Sequence, residues 1–321
     1  MTRNGSMMSS DGLYKFVIDS NLQEADFWIV HGKGLRDVET CNVPPENVIS
    51  LSTEPHTILH YPASFLNQFG MVATCQECVK HKNRVLCPPF LPWFVGRTFS
   101  EAEQKYVYSF DMDSIASMQT PPKDKLISVI SSNKAFSRGH IQRIRFVEKL
   151  KEYFGDRIDV FGNGFKTIPD KWDALAPYKY HIVIENSSLK YYWTEKLSDC
   201  FIAQTYPFYY GCTNVSDYFP ENSCTPIDIR KPDQVIDIIE KCIAQDTYGQ
   251  STDVLAECKE YCIGKYNQFE RMADLCRMLD PKAPKRSVTI KPCVSGANLK
   301  NFLNYTFARP FYQLLYKLHI L

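Results

Sequence analysis

A run of hydrogen-bonding and charged side chains between positions 185 and 196 concentrates the chemistry of this chain. Glu185, Asn186, Ser187 and Ser188 follow an apolar stretch at 180–184, and Thr194, Glu195 and Lys196 open the next element. A lysine in the first turn of a helix lies beside backbone N–H groups without a partner inside the helix, which suits a phosphate. Glu195 beside it can accept hydrogen bonds from sugar hydroxyls. Together these residues fit a nucleotide or sugar phosphate held by one cation and several polar groups. The alternative for the same residues is a charged turn at the start of a surface helix, because short polar motifs recur widely.

Such side chains need a strand that ends beneath them and a helix that starts beside them. Residues 180–184 read as the strand. Thr194 reads as an N-cap, with Leu197, Phe201 and Ile202 at helical spacing after it, and 207–210 as a second strand ending at Gly211. This is one βαβ unit whose loop lies at the carboxyl end of a strand, where open α/β sheets hold ligands. Upstream, 126–130 predicts a strand ending in Ser131, Ser132 and Asn133. A basic helix follows at 139–153, with Ile141, Ile144, Val147 and Leu150 on a buried face flanked by Arg143 and Arg145. The strand at 158–161 closes with Gly162-Asn163-Gly164. Position 167 is Thr, so the third glycine of a dinucleotide loop is missing and a tight turn is expected. A short helix at 170–176, a strand at 225–229 and helices at 232–244 and 254–278 complete this half. The first half predicts strands at 13–18, 26–31, 47–51 and 71–73, a helical turn at 63–69, and the polar loop Ser52, Thr53, Glu54, Pro55, His56. Pro121-Pro122 marks a boundary. The expected organisation is an α/β domain over 1–120, a second over 121–280 and a tail over 281–321.

The chain has 321 residues, 44% hydrophobic and 23% charged, which is the composition of an ordinary globular protein with room for two domains. The net charge of +1 gives no reason to expect nucleic acid. Charge is unevenly spread: 281–321 holds seven Lys or Arg and no Asp or Glu. Leu299, Phe302, Leu303, Phe307, Phe311, Leu314, Leu315 and Leu318 fall near helical spacing there, around Pro310. That pattern predicts an interfacial helix on an anionic membrane surface, the alternative being docking on the protein's own body. The first twelve residues are polar, and no apolar run is long enough to span a bilayer.

Two further motifs invite a metal. Cys75 and Cys78, with His81 and Cys87 nearby, have zinc-like spacing but no second C-x2-C, so reduced thiols are expected. Asp111-Met112-Asp113 could hold a divalent ion between two carboxylates, yet it reads more simply as a solvated linker ahead of the boundary.

The string ENSSLKYYWTEKL at 185–197 followed by PFYYG at 207–211 resembles the signature of the α-1,3-fucosyltransferases, glycosyltransferase family 10. The resemblance is strongest over 125–230. It implies an α/β fold of GT-B type, two Rossmann-like domains facing across a cleft. It also implies inverting transfer of L-fucose from GDP-β-L-fucose to a glycan hydroxyl. On this resemblance Glu54 is the catalytic base, with Glu77 and His56 as weaker rivals. Lys196 and an arginine of the 139–153 helix meet the diphosphate. Spacing favours Arg143 for that arginine and leaves Arg138 and Arg145 open. Ser132, Asn133, Glu185, Asn186, Tyr192 and Glu195 complete the donor site. No cofactor is required, and a divalent metal is not expected to be essential. The partners expected are GDP-fucose, a glycan acceptor and, through 281–321, an anionic membrane. The expected setting is surface polysaccharide or lipopolysaccharide synthesis on the cytoplasmic face of the membrane. Trp193, and the bulky Tyr206 and Phe208 around Pro207, depart from the family pattern. They keep open a GT-B transferase with another nucleotide sugar, and a catalytically silent membrane-bound scaffold.

Overall fold

The computed structural model describes residues 2–18, 22–133 and 138–293, with the side chain of Arg138 left out. The first half contributes β1 (Trp28–His31), β2 (Glu39–Val43), β3 (Val48–Leu51), α1 (Ala63–Leu66), β4 (Met71–Thr74) and β5 (Arg84–Leu86). A hairpin, β6 (Arg97–Ser100) and β7 (Lys105–Tyr108), and α2 (Met112–Ser117) follow. The second half runs β8 (Lys125–Ile130), α3 (Arg138–Phe154), β9 (Ile158–Phe161), β10 (Tyr178–Ile184), α4 (Glu195–Ile202), β11 (Tyr206–Tyr210) and β12 (Thr225–Pro226). It closes with α5 (Pro232–Ala244), α6 (Thr247–Gln250), α7 (Thr252–Ile263), α8 (Gln268–Arg277) and β13 (Arg286–Ile290).

Two parallel sheets form the frame. The first has the order β1-β3-β4-β5 and the second β12-β11-β10-β8-β9, every pairing within them parallel. β3 and β4 are buried along their whole length and β10 nearly so, which explains their continuous apolar character. The fold is therefore α/β with two Rossmann-like layers. The apolar face of α3, with Phe146, Val147 and Leu150 at most 1% exposed, covers the second sheet.

The chain crosses between the layers more than once. Trp93, Val95, Met112 and Ile115 pack into the core of the second sheet. Leu275 and Cys276 of α8 pack on Ile49, Leu51, Met71 and Ala73 of the first. β13, inside the stretch expected to be a tail, pairs antiparallel with β2 from Arg286↔Val43 to Ile290↔Glu39. The remainder of the tail, 294–321, lies outside the described residues, and with it the expected interfacial helix.

Three element readings need correction. Residues 13–18 form no strand beyond an isolated bridge of Lys15 to Met8, and Leu13, Val17 and Ile18 are exposed rather than covered by a second layer. The strand expected at 225–229 is only Thr225–Pro226. The single helix expected over 254–278 is two, because Gly264 ends α7 and the Asn267 side chain caps α8 by accepting from Phe269 N.

Candidate active site

The strand order of the second sheet places a ligand before any side chain is considered. From β8 the chain moves outward to β9, then returns across to β10 and proceeds to β11 and β12. The direction of winding reverses between β8 and β10, and ligands bind in the crevice beyond the carboxyl ends of strands at such a switch point. Ile182 is level with Val129, so Glu185 and Asn186 after β10 stand beside Ser132 and Asn133 after β8. Neighbouring strands lie about 4.8 Å apart.

Glu185 is the buried centre of this crevice, 2% exposed. Its carboxylate accepts from Thr194 N at 2.8 Å, from the Thr194 hydroxyl at 2.8 Å, and from Lys196 Nζ at 3.3 Å. Burial pushes its pKa up, and the Lys196 ammonium opposes that. Thr194 caps α4 as its sequence predicts, its hydroxyl accepting from Lys196 N at 3.3 Å. The end of β11 closes on the same residue: Glu185 N donates to Tyr210 O at 2.8 Å, and a Cβ on Gly211 would run into the Glu185 side chain and the Tyr209 hydroxyl.

Lys196 faces Glu185 on one side and Glu195 Oε1, 3.9 Å away, on the other. Burial alone would lower its pKa, but those two carboxylates outweigh burial and the ammonium is held firmly charged. Glu195 is engaged by Lys171 Nζ at 3.3 Å. Burial would raise its pKa, and Lys171 and Lys196 together bring it below the usual value. Lys171 also meets Asp199 Oδ2 at 3.1 Å. Burial pushes Asp199 up to about 6, with Lys171 opposing.

Glu54 reaches this cluster from the first sheet. It follows β3, and its backbone carbonyl is fixed by the Gln76 side chain, Nε2 donating at 2.8 Å, and by the Cys75 thiol at 3.8 Å. Its Oε2 accepts from the Tyr192 hydroxyl at 3.4 Å, across 138 residues of sequence. Beside it, the Thr57 and Ser187 hydroxyls meet at 2.7 Å. Burial raises the Glu54 pKa, Lys196 opposes, and Glu195 adds to the rise. A half-buried carboxylate with an elevated pKa, facing a lysine, is well placed to take a proton. The two rivals, His56 and Glu77, are exposed.

Tyr192 is directed by local strain. Tyr191 adopts φ 61°, a left-handed conformation costly for a residue with a Cβ, and is held there by its N–H donating to Asn214 Oδ1 at 2.8 Å. The turn buries Tyr192 towards Glu54 and sends Trp193 the other way. Trp193 packs against Tyr218, Phe219 and Tyr266 with ring centroids 5.2–6.0 Å apart. Tyr206 and Phe208 pack on Tyr180. These three departures from the family pattern are therefore core residues.

On the β8 side, Arg143 Nη2 is 3.4 Å from Ser132 Oγ, and its Nε is buried with no hydrogen-bond partner among the described residues. Burial lowers its pKa, but a guanidinium stays charged. An unsatisfied buried donor on a cation at a strand end fits an anion. Arg145 is exposed, and the Arg138 side chain lies outside the described residues. Asn133 N donates to Asn163 O at 2.9 Å; Gly164 there has φ 86°, and a Cβ on it would collide with the Asn133 side chain. Asn186 is exposed at the mouth.

The other motifs take structural roles. Asp111 caps α2 by accepting from Ser114 N at 2.7 Å, and Asp113 lies 3.6 Å from Arg3. Both ring nitrogens of His81 face backbone groups of Phe69 and Asn83 at 3.1–3.2 Å, and burial pushes the Cys75 thiol up to about 12. No group of three His, Cys, Asp or Glu among the described residues is placed to hold a metal ion. No helix among them is long and apolar enough to cross a membrane. Lys171 and Asp199 were missed by sequence reasoning. Asp199 carries a faint signal, one helical turn after Glu195; Lys171 carries none, because only the tertiary fold brings it there.

The family model described as Glycosyltransferase family 10 (fucosyltransferase) C-term matches residues 120–286, just over half of the chain. An α-(1,3)-fucosyltransferase of Helicobacter pylori is 31% identical over 74 residues, which is 23% of this chain and only 16% of that protein. A solved α1,3-fucosyltransferase with GDP aligns over 78% of this chain and 76% of its own, at 18% identity and TM-score 0.48. One with GDP-fucose aligns over 73% and 78%, at 16% identity and TM-score 0.45. A glycosyltransferase from Rickettsia africae aligns over 72% and 70%, at 9% identity and TM-score 0.40.

Proposed function

Since the chain belongs to glycosyltransferase family 10, the fucosyltransferases, and is a glycosyltransferase, we propose that it transfers L-fucose from GDP-β-L-fucose to a glycan hydroxyl with inversion. The observation that carries this reading is Glu54: a carboxylate delivered by the first sheet to the helix start that holds Lys196, with Tyr192 spanning the two. In the proposed reaction the acceptor hydroxyl attacks the anomeric carbon while Glu54 takes its proton. The bond to the diphosphate breaks on the opposite face, and Lys196 and Arg143 stabilise the charge that leaves with GDP. Ser132, Asn133, Glu185, Asn186, Tyr192 and Glu195 line the donor side. Because the two side-chain cations carry the charge work, activity is expected to survive EDTA. A donor requiring a metal bridge between its phosphates would lose activity there.

The test is a donor panel. GDP-fucose, GDP-mannose and common UDP-sugars are titrated by calorimetry into wild type and Lys196→Ala, with GDP or UDP release followed on galactose- and N-acetylglucosamine-containing acceptors. The reading expects selectivity for GDP-fucose that is lost with Lys196. Tight binding of a UDP-sugar, or indifference to Lys196, refutes it. The silent-scaffold alternative predicts donor binding without transfer. The reading places the reaction in surface polysaccharide or lipopolysaccharide synthesis on the cytoplasmic membrane face.

A further inference from the structure

Beneath the proposed diphosphate site lies a ladder of alternating charge. It runs from Asp199 to Lys171 at 3.1 Å, Lys171 to Glu195 at 3.3 Å, Glu195 to Lys196 at 3.9 Å, and Lys196 to Glu185 at 3.3 Å. The rungs come from three parts of the chain. Lys171 stands on the short turn Lys171–Ala174 before β10, set by Asp170, whose Oδ1 accepts from Trp172 N at 2.8 Å and Gly96 N at 2.9 Å. Asp199 is anchored from its other oxygen, which accepts from Phe94 N at 2.6 Å and Val95 N at 3.3 Å. The Phe94 ring lies 4.9 Å under the Lys171 ammonium. The Lys171 end is therefore rigid and the Lys196 end faces the crevice, with Glu195 between two cations and nearer to the rigid one.

That asymmetry has a chemical consequence. A carboxylate buried beside a single ammonium closes onto it and cancels the charge a phosphate would meet. Glu195 is instead drawn to Lys171 at 3.3 Å and stays 3.9 Å from Lys196, which leaves Lys196 closer to Glu185 than to Glu195 and less neutralised towards the incoming ligand. We propose that Lys171 is a positioning residue for the transfer: by engaging Glu195 it keeps the Lys196 ammonium available to the donor diphosphate. This rests on the reading of Lys196 as a diphosphate cation, and the experiment separates the two.

The probe is GDP itself, titrated by calorimetry into the full chain, with the unfolding midpoint recorded for every variant. Lys171→Met is expected to weaken GDP binding tenfold or more, since among the described residues Glu195 then has only Lys196 as a cation. Lys171→Arg is expected to restore binding to within a few-fold. Glu195→Gln in the Lys171→Met background is expected to recover most of the lost affinity, because the competing carboxylate is gone; a purely structural role for Lys171 predicts no such recovery. Lys171→Gln serves in the same scheme if Lys171→Met does not fold. Wild-type GDP affinity in Lys171→Met together with lost affinity in Lys196→Ala overturns this inference alone. Failure of the double variant to recover affinity also overturns it. Unchanged GDP binding in Lys196→Ala overturns the diphosphate reading and this inference with it.

Discussion

Replacing Glu54 by Gln tests the proposed chemistry most directly, because it removes a proton acceptor and little else. The amide has the shape of the carboxylate and can still accept from the Tyr192 hydroxyl. The bonds that position the residue, from Gln76 and Cys75, go to its backbone carbonyl and are untouched. Folding is therefore expected to be preserved, with an unchanged urea midpoint. General-base catalysis contributes about 10²–10⁴ in rate, so kcat should fall by that factor, a barrier increase of about 2.7–5.5 kcal/mol. Donor affinity should not fall, since losing a negative charge near Lys196 removes a competitor of the diphosphate. The pH profile supplies the sharper check. Burial raises the Glu54 pKa above 4.5, and the residue works only when ionised, so the acid limb of kcat/KM should sit above that value. Glu54→Gln should lose this limb altogether. The assay is GDP release with a glycan acceptor across pH 4–9, beside donor binding by calorimetry. Residual kcat above about a tenth of wild type, well outside the general-base range, would refute the assignment of Glu54. An acid limb that persists in Glu54→Gln would do the same.

The two arginines of α3 should separate cleanly. Arg143→Ala removes a half-buried cation beside Ser132 and is expected to lower kcat/KM by about 10²-fold or more, whereas the exposed Arg145→Ala should change it less than about threefold. Equal effects would move the diphosphate contact elsewhere. His181 on β10 makes a prediction about stability. It is fully buried, Nδ1 lies 2.7 Å from the Ser128 hydroxyl, and burial depresses its pKa from 6.5 to about 3. Between those values the unfolded chain binds a proton that the folded one refuses, so stability falls as pH drops through this window. His181→Gln should flatten that part of the curve of urea midpoint against pH; an unchanged slope would show that other groups set it.

The readings that held and failed divide along a physical line. The second sheet was legible because its central strands β10 and β11 are buried almost throughout and its helices are bounded by local chemistry. Thr194 accepts from the first turn of α4, and Pro232 starts α5 where a proline fits. Those signals depend only on neighbours in sequence. The apolar run at 13–18 failed because periodicity reports that residues could be covered, not that anything covers them. The break at Gly264 inside the expected 254–278 helix was local but weak, since an isolated glycine is tolerated in helices.

The site shows the same division. By itself the sequence determined the helix cap, the lysine two residues after it in the first turn and the strand that runs into Glu185, all within one βαβ unit. It also marked Glu54 as a carboxylate after a strand. Only the tertiary structure decided that Glu54 meets Tyr192, that Trp193 turns into the core, that Arg143 faces Ser132, and that Lys171 and Asp199 underlie the cluster. The reason is the range of the forces involved. Caps and periodicity are fixed by residues a few positions apart, whereas a buried charge needs a partner wherever the fold can supply one.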